Sequence, residues 1–411
     1  MRIAIVRNKL EQTLATDDWF TRSNGNGKAE HSGLHKTAEL DVRAEIEFIR
    51  ASLAEAGHDA VTFTAGDTAG LCAFLAKHRP ELVFNCCDSF IGKAALEMNV
   101  AALYELFRVP YTGSPALTLG LLLDKPLAKA VLAAHGINTP AYVVIERAQD
   151  LVAAGRLGFP LIVKPAAEDA SIGIDDGAVV HNESALAKRV RFVWREFKQP
   201  ALVEEFIAGR EFSASVLAVS PSEFAVLAIG EIAYDRLPPG RPPILGYDAK
   251  WDPDASFTQA MAARCPAEID DKTVGKIRKV VLDVAKKVGL RDYGRVDLRI
   301  RESDQTVFVL EVNPNPDLNN ECVFMQAARA SGRTNESTIC EIAARAIERY
   351  QDPANIVELP AGVKHERRPH PTKAPTRAHS RAKGRRRASP PPLREELLDV
   401  QLPGQVLSIR R

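Results

Sequence analysis

Two alternating segments restrict the fold of this chain more than anything else in it. They are Gly294-Arg295-Val296-Asp297-Leu298-Arg299-Ile300 and, after a polar turn, Val307-Phe308-Val309-Leu310-Glu311-Val312-Asn313-Pro314. Alternation has a period of two, which an extended strand sorts onto two faces. In the first segment Arg295, Asp297 and Arg299 share one face and Val296, Leu298 and Ile300 the other. In the second, Glu311 and Asn313 share a face. An antiparallel hairpin closed by an odd-length loop, for example Ser303-Asp304-Gln305, sets Asp297 opposite Glu311 and Arg295 opposite Asn313. All four polar groups then point into one site. Two carboxylates and an amide oxygen form a hard, all-oxygen ligand set, suited to Mg²⁺ shared with nucleotide phosphates. A solvated hairpin face with ordinary Arg–Asp pairing explains the row less well, because a surface hairpin would not be expected to follow Leu-Glu-Val-Asn with Pro-Asn-Pro.

The first third of the chain alternates short β-branched runs with helical patterns: a strand over residues 3–6, a helix over 38–56 ending at Gly57, a strand over 58–63, a helix over 68–78 and a strand over 82–84. That order predicts a parallel sheet wrapped by helices. Between Asp17 and His35 lies a Gly/Ser/Asn-rich insertion, read as a mobile surface loop. Its Gly27-Lys28 fails the phosphate-loop template, with no Gly five residues before Gly27 and no Ser or Thr after Lys28. Strand-forming segments return at residues 141–145, 160–163, 178–180, 201–203, 211–219 and 224–231. The helical pattern over 274–288 carries Val274, Ile277, Val280, Val281, Val284 and Val288 on one stripe with lysines opposite, and should pack on a sheet. A last helix is predicted over 338–350.

With 411 residues, 45% of them hydrophobic, the chain can bury a core large enough for two or three domains. Its opening, Met1-Arg2-Ile3-Ala4-Ile5-Val6, is too short an apolar stretch for a signal sequence, and no run of eighteen or more apolar residues occurs, so the expected location is cytoplasmic. Six scattered cysteines without a CxxC pair suggest reduced thiols, and the adjacent Cys86-Cys87 at a strand end reads as packing rather than redox chemistry. The near-neutral net charge of +1 hides an asymmetry: residues 361–411 hold 13 Lys and Arg against 4 Asp and Glu, leaving 41 against 49 for residues 1–360. With seven prolines and the run Arg385-Arg386-Arg387, that stretch is expected to be a disordered tail. A basic tail is compatible with an acidic partner, nucleic acid or lipid. Without interleaved aromatics a solvated extension is the plainer reading. Residues 393–402 could form a short helix on a partner.

The motif made of Arg295-Val296-Asp297 and Leu310-Glu311-Val312-Asn313 resembles the ATP-grasp superfamily, most closely its D-alanine–D-alanine ligase branch, and the likeness runs in order over roughly residues 80–350. The resemblance implies an α/β protein in which residues 1–120 form a Rossmann-like pre-ATP-grasp domain and residues 121–350 the ATP-grasp domain, divided at about residue 200. It implies ATP and Mg²⁺ as cofactors, with two ions expected and Mn²⁺ as an alternative. Asp297, Glu311 and Asn313 would be the metal ligands, and Arg295 would face developing charge in the transition state. Asp124-Lys125-Pro126 resembles the entry to the nucleotide domain, with Lys125 reaching the α-phosphate. Phe159-Pro160-Leu161-Ile162-Val163-Lys164-Pro165 ends a buried strand on a lysine, which is rare unless an anion meets it, so Lys164 is assigned to the phosphates. Glu168-Asp169-Ala170-Ser171-Ile172-Gly173 resembles the flap over the phosphates, with Ser171 contacting the reacting groups. In Leu202-Val203-Glu204-Glu205-Phe206-Ile207-Ala208-Gly209-Arg210-Glu211, Glu204 would accept from the adenine amino group, the backbone of Glu205 to Ile207 would read the ring edge, and Glu211 would bond the ribose. Gly246-Tyr247-Asp248-Ala249-Lys250-Trp251 resembles the substrate-covering loop, giving Lys250 the γ-phosphate and Trp251 a place in the lid.

In such chemistry a substrate carboxylate attacks the γ-phosphate and an amine then attacks the acyl phosphate, so the protein supplies positioning and charge stabilisation. The expected partners are a small carboxylate and a small amine, and a homodimer is compatible with these features. The alternative is a catalytically quiet nucleotide-binding module; a ligase with a different acceptor, such as a glutathione-synthetase-like enzyme, shares the ATP site. Four departures from the family pattern bear on the acceptor: Ala170 replaces the first flap serine, Asp317 stands near a glycine's place, Cys322 near that of a carboxylate-binding serine, and the bulkier Trp251 replaces the lid tyrosine. An extra carboxylate repels a free amino-acid carboxylate, so the expected acceptor is not simple D-alanine. The ammonium-binding glutamate near the N-terminus corresponds to Glu39, one residue out of register.

Overall fold

The computed structural model describes residues 1–9, 31–168, 171–246, 263–351, 398–402 and 405–409; the side chains of residues 31–41 and of the last two segments are outside that description. The first sheet holds β1 (Arg2–Asn8), β2 (Asp59–Ala65) and β3 (Leu82–Cys86), all parallel in the order β2-β1-β3. Between them run α1 (His31–Glu55) and α2 (Thr68–His78), followed by α3 (Glu97–Phe107), α4 (Ala116–Leu123) and α5 (Lys125–Ala134). The alternation read from the sequence is therefore present. The loop expected up to His35 gives way to helix at His31, and its remainder from residue 17 to 30 lies outside the described residues. Cys87 is fully buried, and burial pushes both the Cys86 and Cys87 thiols up, away from the thiolate that redox chemistry needs.

The second sheet is antiparallel: β4 (Tyr142–Ile145), β5 (Leu161–Pro165), β6 (Val179–Val180) and β7 (Ala201–Glu205) lie in the order β4-β7-β5-β6. Helices α6 (Leu151–Gly155) and α7 (Glu183–Phe197) belong to this region, and Val190 and Val193 of α7 share a core with Val163 and Val203. The third sheet contains β8 (Gly209–Ser220), β9 (Glu223–Val226), β10 (Gly230–Ile232), β11 (Ala263–Arg264), β12 (Tyr293–Arg301) and β13 (Val307–Asn313), in the order β11-β10-β8-β12-β13 with β9 on β8. The segment 224–231, read as one strand, is two: at the break the Ala228 amide donates to Ser331 Oγ (2.7 Å) instead of to a strand.

One face of the third sheet is covered by α8 (Asp271–Val288), as its periodicity predicts. Asp270 caps it by accepting from the Thr273 amide (2.7 Å), and Gly289 ends it in the left-handed region at φ 73°. Ile277, Val281, Val284 and Val288 pack on Phe212, Ala214 and Val216 of β8, Val296, Leu298 and Ile300 of β12, and Val309 and Val312 of β13. Burying these four branched side chains contributes about 6–12 kcal/mol before chain entropy is counted. Val281→Asp would set a charge in the middle of that layer. The final helices are α9 (Val323–Ala330) and α10 (Asn335–Gln351), the latter beginning three residues before the expected position.

The hairpin departs from expectation in one respect. Glu302 to Gln305 form an even, four-residue loop, closed by Arg301 N donating to Thr306 O (2.9 Å) and Gln305 N to Arg301 O (2.9 Å). Near the loop the ladder runs Ile300↔Val307, Arg299↔Phe308 and Leu298↔Val309; beyond it, Asp297↔Glu311 and Arg295↔Asn313. Leu310 is thus the extra residue of a β-bulge, which restores the pairing that the odd loop was expected to give. The sign of it in the sequence is that Val309 and Val312, three apart, face the same core.

Ala4, Val6 and Val83 of the first sheet pack with Leu71, Leu75, Val100 and Tyr104 in a core of their own, but the other face is shared. Ile3, Ile5, Leu82 and Phe84 on one of its faces share a cluster with Ile49 and Leu53 of α1, Phe324 and Met325 of α9, and Ile339, Ile342 and Ala346 of α10. Residues 1–357 form one compact unit and 358–411 a second. In the second, β14 (Leu398–Leu402) and β15 (Gln405–Ile409) pair as an antiparallel hairpin, so residues 398–402 are strand and not the short helix that residues 393–402 suggested; the rest of residues 361–411 lies outside the described residues. Among the described residues no helix is long and apolar enough to cross a membrane.

Candidate active site

The face of the third sheet away from α8 is polar across three neighbouring strands. In register lie Ser213, Asp297 and Glu311, then Ser215, Arg295 and Asn313, then Glu211 and Arg299. The start of β8 crosses the end of β12 so closely that a Cβ on Gly209 (φ 146°) would stand 2.0 Å from the Ile300 carbonyl oxygen. Glycine there permits the approach that aligns Glu211 with Arg299.

Arg295 grips Asp297 through Nε (3.0 and 3.1 Å) and one terminal nitrogen (2.9 Å), and Ser213 Oγ donates to Asp297 Oδ1 (2.7 Å). Burial works against the Arg295 charge, but the Asp297 and Glu311 carboxylates outweigh it and hold the guanidinium more firmly protonated than usual. Glu311 Oε1 accepts from Lys125 Nζ (2.6 Å), and Asn313 Oδ1 accepts from the Asn315 amide (3.0 Å). The residues fit a divalent cation: two carboxylates and an amide oxygen adjoin, and among the described residues Arg295 contacts Asp297 and Lys125 contacts Glu311. Among the described residues no group of three His, Cys, Asp or Glu gathers, so any such set needs the Asn313 oxygen.

Behind this cluster is a second one. Lys125 opens α5 next to its cap Asp124, which accepts from the Leu127 amide (3.0 Å). One turn on, Lys129 is 2% exposed; its Nζ lies 2.9 Å from Glu204 Oε1 and donates to Thr139 Oγ1 (2.6 Å). Lys164, from β5, lies 2.9 Å from Glu204 Oε2. Burial alone would raise the Glu204 carboxyl, but Lys129 and Lys164 outweigh it and hold it below the usual range. Desolvation dominates at Lys129 and, aided by Lys164 and Lys125 against the pull of Glu204, brings its ammonium down to about 8. Glu204 Oε1 has an ion-pair contact with Lys129 but no aligned hydrogen bond, so it retains accepting capacity.

Arg299 Nε and a terminal nitrogen bond Glu211 Oε2 (2.9 and 2.6 Å), and the other terminal nitrogen bonds the Ile207 carbonyl (2.9 Å). Glu205 lies beside Arg301 (3.4 Å). Ser171 has a left-handed backbone (φ 60°) and, among the described residues, no side-chain bond to the Arg295 cluster. Lys250, Trp251, Asp169 and Ala170 lie outside the described residues, as does the Glu39 side chain. A cavity of about 240 Å³ lined by Gly209, Tyr234 and Pro243 opens at the β10 edge; it does not include the lysines or Arg295.

Sequence reasoning missed Lys129, Ser213, Arg299, Asn315 and Glu45. Lys129 had a signal: it stands four residues after Lys125 on an amphipathic helix and so shares its face. Asn315 had none. Its Nδ2 donates to the Cys87 carbonyl (2.9 Å) and to Glu97 (3.1 Å), and its Oδ1 accepts from Tyr293 Oη (2.8 Å), so it ties the loop after Asn313 to the first sheet. Glu45 of α1 accepts from the Leu318 amide (2.8 Å) beside Asp317; burial first, and the Asp317 charge second, push its carboxyl up to about 8.

A sheet whose polar face carries an Arg-Asp pair opposite Glu and Asn, with lysines converging from a helix and a second antiparallel sheet, defines an ATP-grasp protein. The model of the D-Ala–D-Ala ligase C-terminus matches residues 131–343. D-alanine–D-alanine ligase of Ralstonia pickettii is 31% identical over 299 residues, covering 72% of this chain and 84% of that protein. A protein called y4sG from Sinorhizobium fredii, described as uncharacterised, is 33% identical over 308 residues, covering 73% and 86%. The crystal structure of D-alanine–D-alanine ligase from Bacillus anthracis complexed with ATP superposes with a TM-score of 0.61 at 18% identity, covering 86% of this chain and 99% of that one. This chain belongs to the D-alanine–D-alanine ligase family.

Proposed function

We propose that the protein is an ATP-dependent carboxylate–amine ligase acting through an acyl phosphate, with an acceptor other than simple D-alanine. The observation that carries the reading is the register of Arg295, Asp297, Glu311 and Asn313 on one sheet face, with Lys125 already in contact with Glu311. In this reading residues 121–350 are the catalytic domain and residues 1–120 the pre-ATP-grasp domain. Lys125, Lys129 and Lys164 neutralise the phosphates, Glu204 with the backbone of Glu205 and Ile207 reads the base, and Glu211 reads the ribose. Asp297, Glu311 and Asn313 would hold Mg²⁺, which would supply charge neutralisation at the nucleotide phosphates. Arg295, held in line by Asp297, faces the reacting carboxyl; Ser171 and Lys250 close over it.

For the acceptor, the support is the pair Glu45 and Asp317 beside Cys322, which caps α9 by accepting from the Met325 amide (3.4 Å) and donates to the Asp317 carbonyl (2.9 Å). With that thiol engaged by backbone groups on both sides and a carboxylate nearby, the position suits an uncharged or cationic group better than an amino-acid carboxylate.

The test is phosphate release from ATP with D-alanine against a panel of amines, amino acids and dipeptides, in wild type and in Glu311→Gln. Turnover with a better acceptor than D-alanine, lost in the variant, is expected. Efficient D-alanine dimer formation with no better acceptor overturns the acceptor reading, and full activity in Glu311→Gln overturns the metal assignment.

A further inference from the structure

Glu211 is bonded unevenly. Its Oε2 accepts three hydrogen bonds, from Arg299 Nε (2.9 Å), an Arg299 terminal nitrogen (2.6 Å) and Tyr234 Oη (2.9 Å). Among the described residues nothing donates to Oε1, although the residue is only 8% exposed. Oε1 keeps access to solvent, so this half of the carboxylate is open to an incoming donor. Arg299 is itself fixed on several sides: its guanidinium lies over the Phe206 ring (4.8 Å) and the Tyr234 ring (5.7 Å), and it donates to the Ile207 and Pro243 carbonyls. Such an arginine has little freedom to leave Glu211.

The geometry points to Arg299 and Tyr234 as a clamp that saturates Glu211 Oε2 and presents Oε1 alone to a ribose hydroxyl, making Arg299 a positioning residue of the nucleotide site. The proposal rests on the nucleotide reading above. The chemistry of the bound group follows from the charges: a cation at Oε1 would lie close to the Arg299 guanidinium, and a phosphate would be repelled by the carboxylate. A neutral O–H donor meets neither penalty. Because Arg299 also holds the Ile207 carbonyl, it fixes the spacing between the segment that reads the base and the carboxylate that reads the sugar. It further cancels the Glu211 charge, which would otherwise oppose a polyphosphate.

The test compares direct binding of ADP and 2′,3′-dideoxy-ADP by calorimetry, with no turnover required. Wild type should prefer ADP by about tenfold or more, the scale of a hydrogen bond to a charged group. Glu211→Ala should abolish the preference, Arg299→Met should reduce it below about threefold, and Tyr234→Phe should lower it by a smaller factor. The double variant Arg299→Met with Glu211→Ala should lose no more preference than Glu211→Ala alone. Should Arg299→Met fail to fold, Arg299→Lys takes its place. A full preference for ADP in both the Arg299 variant and Tyr234→Phe overturns the clamp, as does wild type that binds both nucleotides equally. Wild type that binds no ADP at all instead overturns the nucleotide reading itself.

Discussion

Lys125 Nζ and Glu311 Oε1 stand 2.6 Å apart, so the lysine assigned to phosphate and the carboxylate assigned to metal neutralise each other across 186 residues of sequence. On that assignment, nucleotide and metal would bind by exchanging partners: the ammonium would turn to phosphate as the carboxylate turns to the cation. Lys125→Met should therefore have effects of opposite sign. Binding of Mn²⁺ without nucleotide should tighten, by about threefold or more, while ADP should bind about tenfold more weakly. Titrating the variant with Mn²⁺ by electron paramagnetic resonance and with ADP by calorimetry measures both. Equal weakening of the two would show that Lys125 does not compete with metal.

Lys129 titrates at about 8 in the absence of ligand because burial and its cationic neighbours work against the ammonium. An arriving polyphosphate favours the charged form and raises that value. ADP binding at pH 8 should therefore take up protons, and affinity should decline as the pH rises through 8. Calorimetry in buffers of differing ionisation enthalpy reports the proton count. Lys129→Arg, which keeps its charge across this range, should remove the uptake centred there.

Glu45 also titrates near 8, and its proton bears on stability. Its carboxyl is raised from 4.5, so the folded state holds a proton that the unfolded chain has released, and stability falls as the pH climbs from about 4.5 through 8. Glu45→Gln keeps an acceptor for the Leu318 amide and carries no charge. It should melt at least about 2 °C above wild type at pH 9 and close to wild type at pH 4.5. Identical melting curves at pH 9 would show that burial and the Asp317 neighbour impose no penalty on the Glu45 charge.

Truncation after residue 360 should leave ATP turnover within a few-fold of the full chain, because every residue assigned to the site precedes that point. A large loss measured by phosphate release would assign the basic segment to the active site.

How far this could be read from residues alone depended on whether a feature repeats with a short period. The polar row on β12 repeats every second residue, and the stripe of α8 every third or fourth; both were legible for that reason. The register of Asp297 with Glu311 was right although the loop assumed to set it was not, because the Leu310 bulge compensates for one residue of loop length. Arg299 lay in plain view on the same face as Asp297, but the Ile207 and Pro243 carbonyls it bonds and the Tyr234 ring it lies over come from three separated segments. Contacts of that kind leave no periodic trace. The same holds for Glu45 and Leu318, 273 residues apart.

The shared core beneath the first sheet has a consequence for the chain while it is still being made. Ile3, Ile5 and Phe84 emerge early from the ribosome, yet the side chains that complete their packing, down to Ala346, are among the last of this unit to appear. At about 5–20 residues per second, synthesis from residue 120 to Ala346 takes roughly 10–45 s. For that interval the nascent chain holds an apolar sheet face without its C-terminal cover, which makes the early segment a natural client for a holding chaperone until translation ends.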